Sequence, residues 1–351
     1  MSALQRLMSA AAAGLVVSLG ACSDSSSPST VDAVALQSSL SAATSTFEQN
    51  AAFQSISILS ASFPQFAGVS VAMPSLSRIL RTPANLRNHP RSTIPFAAAP
   101  QALFPSNALG KTLEWNTGAQ MYIIGNQAGA PANGIRIILY FADQSTGQPT
   151  PNLAVLGYLD LTDQSTPQLN QLGLLLRLAS TTIAEYTITV ITGTNTGSAE
   201  AKGYMKDGTA TVQVGFDFLN SLLASGDVNS SNDLTGNDGA AIHTEIDLSG
   251  TDITDNVVAR ITKGHNTAEV SASGDFLNGT GNLTGGVKFN GITVATVGGT
   301  PETPILTGAG GHTLTAGETS ALLSIFTAAI EDVLRVSDGV FGPGAIVFHQ
   351  P

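Results

Sequence analysis

From residue 199 to residue 296 the chain repeatedly alternates apolar and polar residues with a period of two, and this pattern constrains the fold more than any other feature. Ala199, Ala201, Gly203 and Met205 alternate with Glu200, Lys202, Tyr204 and Lys206. Ala210, Val212, Val214, Phe216 and Phe218 then stand against Thr209, Thr211, Gln213 and Asp217. Ala268, Val270, Ala272 and Phe276 repeat the pattern, followed by Val287, Phe289, Ile292 and Val294. A period of two places one set on a core and the other in water, as in an antiparallel strand. Asp207-Gly208, Asn278-Gly279 and Asn290-Gly291 punctuate the runs. These dipeptides suit tight hairpins because both central residues take positive φ. A two-residue loop at Asn290-Gly291 predicts Phe289 opposite Ile292 and Val287 opposite Val294.

Upstream segments extend the sheet. Ile135 to Phe141 is apolar on both faces except at Arg136, which predicts a strand covered on both sides. Met121 to Ile124, Leu153 to Leu161, Thr187 to Val190 and Val257 to Ile261 also read as strands, about ten in all. Gln168 to Leu178 fits either a short helix or an extended segment. The 36 glycines, against 6% aromatic residues, suit a β-rich chain with many turns. With 42% hydrophobic residues in 351, there is ample material for one core. The net charge of −11 argues against nucleic acid as a partner, since phosphates are met by an excess of Lys and Arg.

The first 21 residues form a different kind of segment. Arg6 closes a short n-region, and the uncharged stretch Leu7 to Ala21 has the length of a secretory h-region, short of a spanning helix. It ends Leu19-Gly20-Ala21-Cys22, with the chain's lone cysteine. These residues resemble the lipobox of bacterial lipoproteins. That resemblance implies recognition of Leu19, Gly20 and Ala21 by the processing machinery, cleavage before Cys22 and lipidation of Cys22. It also implies a membrane partner outside the cytoplasm. Ser23 after the cysteine resembles an outer-membrane address. A single cysteine excludes an intramolecular disulfide and a Cys-based metal site. Residues 22–30 read as a flexible tether and 31–351 as a single folded domain.

Between tether and sheet the sequence predicts helical structure over 31–66. Leu36, Leu40, Ala43 and Phe47 form one apolar stripe, and Pro64 ends the region. Residues 69–110 are broken by Pro74, Pro83, Pro90, Pro95, Pro100 and Pro105. Arg78, Arg81, Arg87 and Arg91 cluster there with no acid between Glu48 and Glu114. They suit either contact with lipid head groups or neutralisation of the acidic body. The sheet is expected over 111–300. Beyond it, Thr315 and Glu318 match a capping box, and Leu322, Phe326, Ala329, Val333 and Val336 mark the buried face of a helix over 315–338.

Few residues offer chemistry. Gly110-Lys111-Thr112 is no phosphate loop, because Pro105 replaces its first glycine and a strand follows. His243, Glu245 and Asp247 share one strand face, and His-x-Glu at that spacing supplies two ligands to a divalent metal. No second His cluster completes them, and they also read as the wet face of a strand. Asp227 to Asp238 places oxygen ligands at EF-hand-like offsets, but Asn232 stands where glycine belongs and Asp238 where glutamate belongs. It reads instead as a polar hairpin tip. No nucleophile elbow, Ser-x-x-Lys or His-Glu-x-x-His motif occurs, and no cofactor motif is found.

The expected fold is therefore α+β and strand-dominated, an antiparallel meander with helices packed on it from both ends. This element order resembles the half-barrel of periplasmic lipoprotein carriers. The resemblance implies a non-catalytic module that holds an apolar or amphiphilic ligand. The alternatives are a structural or partner-binding lipoprotein with a filled core, and an envelope hydrolase centred on His243, Glu245 and Asp247.

Overall fold

The structure, a computed structural model, describes residues 103–141, 149–167, 169–193, 196–206, 213–223, 227–249, 254–275, 280–300, 303–311 and 313–326, with single positions at 337, 340, 341 and 344. The helical region expected over 31–66, the arginine cluster and the leader lie outside the described residues.

The strands are β1 (Lys111–Asn116), β2 (Met121–Ile124), β3 (Gly134–Tyr140), β4 (Val155–Asp163), β5 (Asn170–Leu178), β6 (Thr181–Gly193), β7 (Thr196–Lys206) and β8 (Gln213–Leu222). They continue as β9 (Val228–Gly236), β10 (Ala240–Leu248), β11 (Asp255–Lys263), β12 (Asn266–Asp275), β13 (Thr280–Phe289), β14 (Ile292–Thr300) and β15 (Thr303–Gly308). All belong to one open 15-stranded sheet in which β3 to β15 lie in chain order. Every neighbouring pair is antiparallel except β1 and β3, which run parallel, with β2 hairpinned beyond β1 as the edge.

Fifteen strands exceed the ten or so expected, and the sheet runs past residue 300 to Gly308. Val228–Gly236, expected as a hairpin tip, is β9, whose inward face holds Ser230 and Asn232 between Val228 and Leu234. Gln168 to Leu178, left open between helix and extension, contributes β5.

Backbone register aligns the apolar sets into one face. Ile137 opposes Leu159, which opposes Leu176, then Ala184, Met205 and Val214. Further along, Ile242 opposes Ile261, and Ile261 opposes Ala268. These residues form one continuous core from Leu113 to Val297. Burying each such side chain contributes about 1.5–3 kcal/mol before conformational entropy is set against it. Gly203 is the one gap in the row through Tyr186 and Phe216, and is directly opposite both. The outer face is wet over most of its extent. At the β1–β4 end it carries a small second core of Trp115, Ile138 and Tyr140, with Tyr122 donating its hydroxyl to Ile138 O at 3.0 Å. Arg136, the lone charge in its strand, forms a bidentate pair with Asp160 at 2.7 and 2.8 Å beside it.

The Asn290-Gly291 turn has the expected positive φ values, 48° and 80°, and Phe289 opposes Ile292. Two residues further the expectation fails: a bulge between Val287 and Lys288 places Val287 opposite Ala295 instead of Val294. A one-residue slip exchanges the two faces of a strand. Ala295 and Val297 are accordingly buried, while Ile292 is 59% exposed. β7 pairs Lys206 with Gln213, where a two-residue Asp207-Gly208 loop would pair Lys206 with Thr209, and the same face is buried as predicted.

The C-terminal helix α1 (Ala316–Phe326) begins at the predicted box. Glu318 N donates to Thr315 Oγ1 at 3.2 Å and Thr315 N donates to Glu318 Oε2 at 2.8 Å. Leu322 is buried in the main core, with α1 against β12. Farther on, Val340 is fully buried and its carbonyl accepts from Tyr186 Oη at 3.3 Å. A methyl added at Gly344 would stand 2.6 Å from Ile188 Cδ1, so the chain there lies directly on β6.

Candidate ligand-binding face

Among the described residues the covered face between β6 and β12 is mostly apolar, with a polar island on β8 to β10 and buried Asp255 at the start of β11. Asn220 on β8, Ser230 and Asn232 on β9 and Thr244 on β10 are each at most 3% exposed. The alternation that buries Phe216, Phe218, Leu234 and Ile242 buries these as well, because they occupy the same parity on their strands. Asn220 opposes Ser230, while Asn232 stands between Phe218 and Thr244. Nδ2 of Asn232 donates to Ser230 Oγ at 2.8 Å. The Oδ1 atoms of Asn220 and Asn232 are buried without a hydrogen-bond partner. Each such orphan costs about 1–3 kcal/mol, and almost all buried polar groups avoid it. Two of them on adjacent strands form an unsatisfied acceptor site in a mostly apolar wall.

Val340 is held to this wall by Tyr186 as well as by its burial in the core. Burial raises the Tyr186 hydroxyl far above its ordinary pKa, so it stays a neutral donor to Val340. Leu322 is on the β12 side of the island and Val340 on the β6 side.

On the opposite face the same strands carry charge. Lys202, Asp217, Asp233, His243, Arg260, Glu269 and Lys288 are successive direct partners across β7 to β13. Lys202 pairs with Asp217, Arg260 with Glu269 at 2.8 Å, and Lys288 with Glu269 at 3.3 Å. No helix among the described residues is long and apolar enough to cross a membrane.

His243 and Glu245 share the outer face as expected, with His243 Nε2 3.2 Å from Glu245 Oε1. The acid that joins them is Asp233 from β9, 2.8 Å from Nδ1, rather than Asp247. One carboxylate at each ring nitrogen places the acids on opposite sides of the imidazole, so the three do not converge on one point. Among the described residues no three His, Cys, Asp or Glu side chains are grouped as metal ligands. The EF-hand-like offsets of Asp227 to Asp238 are overturned outright. In β9 they alternate between the two faces and cannot surround one ion. Leu19, Gly20, Ala21 and Cys22 lie outside the described residues.

Sequence reasoning missed the Asn220–Asn232 island because β9 was not read as a strand. The available signal was the parity match of Val228, Ser230, Asn232 and Leu234 with Ile242, Thr244, Ile246 and Leu248.

No protein-family model matches the chain, and comparisons with curated proteins and with solved structures find no match.

Proposed function

We propose that this chain is a lipid-anchored envelope protein that binds an apolar or amphiphilic ligand without catalysis. The ligand lies on the inner face of a half-barrel sheet covered by N- and C-terminal helices. The single observation that carries this reading is the pair of orphaned acceptors, Asn220 Oδ1 and Asn232 Oδ1, inside an apolar wall. A wall serving only as packing gains nothing from them, whereas a site for an amphiphile needs an apolar surface and a few placed polar atoms. The anchor rests on Leu19-Gly20-Ala21-Cys22, with the outer membrane as its destination where the organism has one.

A second reading, a structural or partner-binding lipoprotein, is favoured by the near-complete burial of the inner-face side chains. Native mass spectrometry of protein purified in mild detergent separates the two. Carriage predicts a co-purifying lipid mass, and a spectrum of protein alone favours the structural reading. For the anchor, metabolic labelling with an acyl analogue should mark the wild type and spare Cys22→Ala. Equal labelling of both overturns the anchor.

A further inference from the structure

The position of the orphaned acceptors also specifies the kind of head group that would satisfy them. Asn220 and Asn232 stand two strand positions apart in register on adjacent strands, a diagonal relation on one face of the sheet. Side chains in that relation are within reach of a common small group. Asn232 spends one of its two amide hydrogens on Ser230 Oγ, while its oxygen has no partner. What the pair lacks is donors. A carboxylate or phosphate, which only accepts when ionised, would bring more acceptors to acceptors. An ammonium would donate, but neither asparagine has an acid directly opposite it in the ladder, so the charge would be buried at a desolvation cost that neutral dipoles do not offset. A neutral head with two hydroxyls supplies one donor to each oxygen and buries no charge.

We propose that Asn220 and Asn232 form the head-group site for a neutral, polyhydroxyl amphiphile of the monoacylglycerol class. Its acyl chain lies along the adjoining apolar row through Phe218 and Phe216. Phe218 is directly opposite Asn232, and its ring stacks on Phe216 with centroids 5.3 Å apart, so an apolar track begins where the polar site ends. The assignment rests on the ligand-binding reading above and adds the chemistry of the head.

The test uses the delipidated full chain and displacement of the uncharged probe N-phenyl-1-naphthylamine by monoolein, oleyl alcohol and oleate, which share one chain. The expected order is monoolein, then oleyl alcohol, then oleate, with monoolein at least about tenfold tighter than oleate, a difference the two hydrogen bonds can supply. Asn232→Leu and Asn220→Ala should each reduce that preference to near unity while the probe still binds. Oleate binding as tightly as monoolein overturns the head-group assignment, and so does a preference that survives both substitutions. Failure of the wild type to bind the probe or any of the three lipids removes the ligand-binding reading itself, a result distinct from lost selectivity. Loss of the fold in both variants identifies the amides as structural and also overturns the assignment.

Discussion

Tyr186 and Phe216 meet edge to face, ring centroids 5.4 Å apart at 68°, although β7 separates their strands. They reach each other because Gly203, between them in the ladder, has no side chain. A Cβ built there would be 2.3 Å from Tyr186 Cβ and 2.3 Å from Glu185 O. Gly203→Ala is therefore expected to destabilise the protein by about 1–3 kcal/mol, as overpacking does. The urea midpoint measures it. A midpoint equal to that of the wild type would show that the rings do not close over the glycine.

Tyr186 also carries the hydrogen bond to Val340, so Tyr186→Phe isolates that bond while keeping the ring. The expected loss is about 0.5–1.5 kcal/mol in global stability. Faster hydrogen exchange in the segment around residue 340 should accompany it, with exchange in β3 and β4 unaltered. Exchange that rises uniformly would place the effect in the sheet rather than in its cover.

The reciprocal bonds of Thr315 and Glu318 predict that Thr315→Ala weakens α1 by about 1 kcal/mol. Because the two side chains satisfy each other's backbone donors, Glu318→Ala and the double variant should be non-additive. Additive unfolding energies would mean that the box does not act as a unit.

Acid sensitivity follows from two carboxylates on the outer face, Glu269 partly buried and Asp238 exposed. The hydrogen bond from Arg260, reinforced by Lys288, holds Glu269 below its ordinary pKa against some desolvation. The hydrogen bond from Lys263 does the same for Asp238. Groups depressed in the folded state add stability that is fully present above their unfolded pKa, about 4, and is lost as pH falls through the lower folded value. Screening limits each to about 0.2–1 kcal/mol. Denaturant titrations from pH 7 to pH 2.5 should show Glu269→Gln losing less stability below pH 4 than the wild type. Parallel curves would remove Glu269 from the acid response.

The extent to which the fold was legible in the sequence depended on how regular each strand was. Ile242 to Leu248 and Ala268 to Ala272 declare their faces because every second residue is apolar, and both are buried as read. Val294 misled because the bulge beside Val287 and Lys288 leaves it out of the ladder and puts Ala295 opposite Val287, and no residue type marks it. Val228 to Gly236 carried no apolar alternation, since its inward residues at two positions are Ser230 and Asn232. The same substitution of polar for apolar residues that hid the strand created the candidate site. His243 and Glu245 were found because they are neighbours on one strand. Asp233 was not found with them, because cross-strand partners depend on register.

From β3 onward each strand pairs with the next in sequence, so the sheet can grow hairpin by hairpin as the chain is made. Leu322, Val340 and Gly344 follow all of the strands, yet they cover strands in the middle of the order. The inner face from β6 to β12 is therefore made before these C-terminal residues, which pack on the same core, have been synthesised. The strands that carry Asn220 and Asn232 thus precede in synthesis the residues, Leu322 and Val340, that close on the same core from the chain's far end.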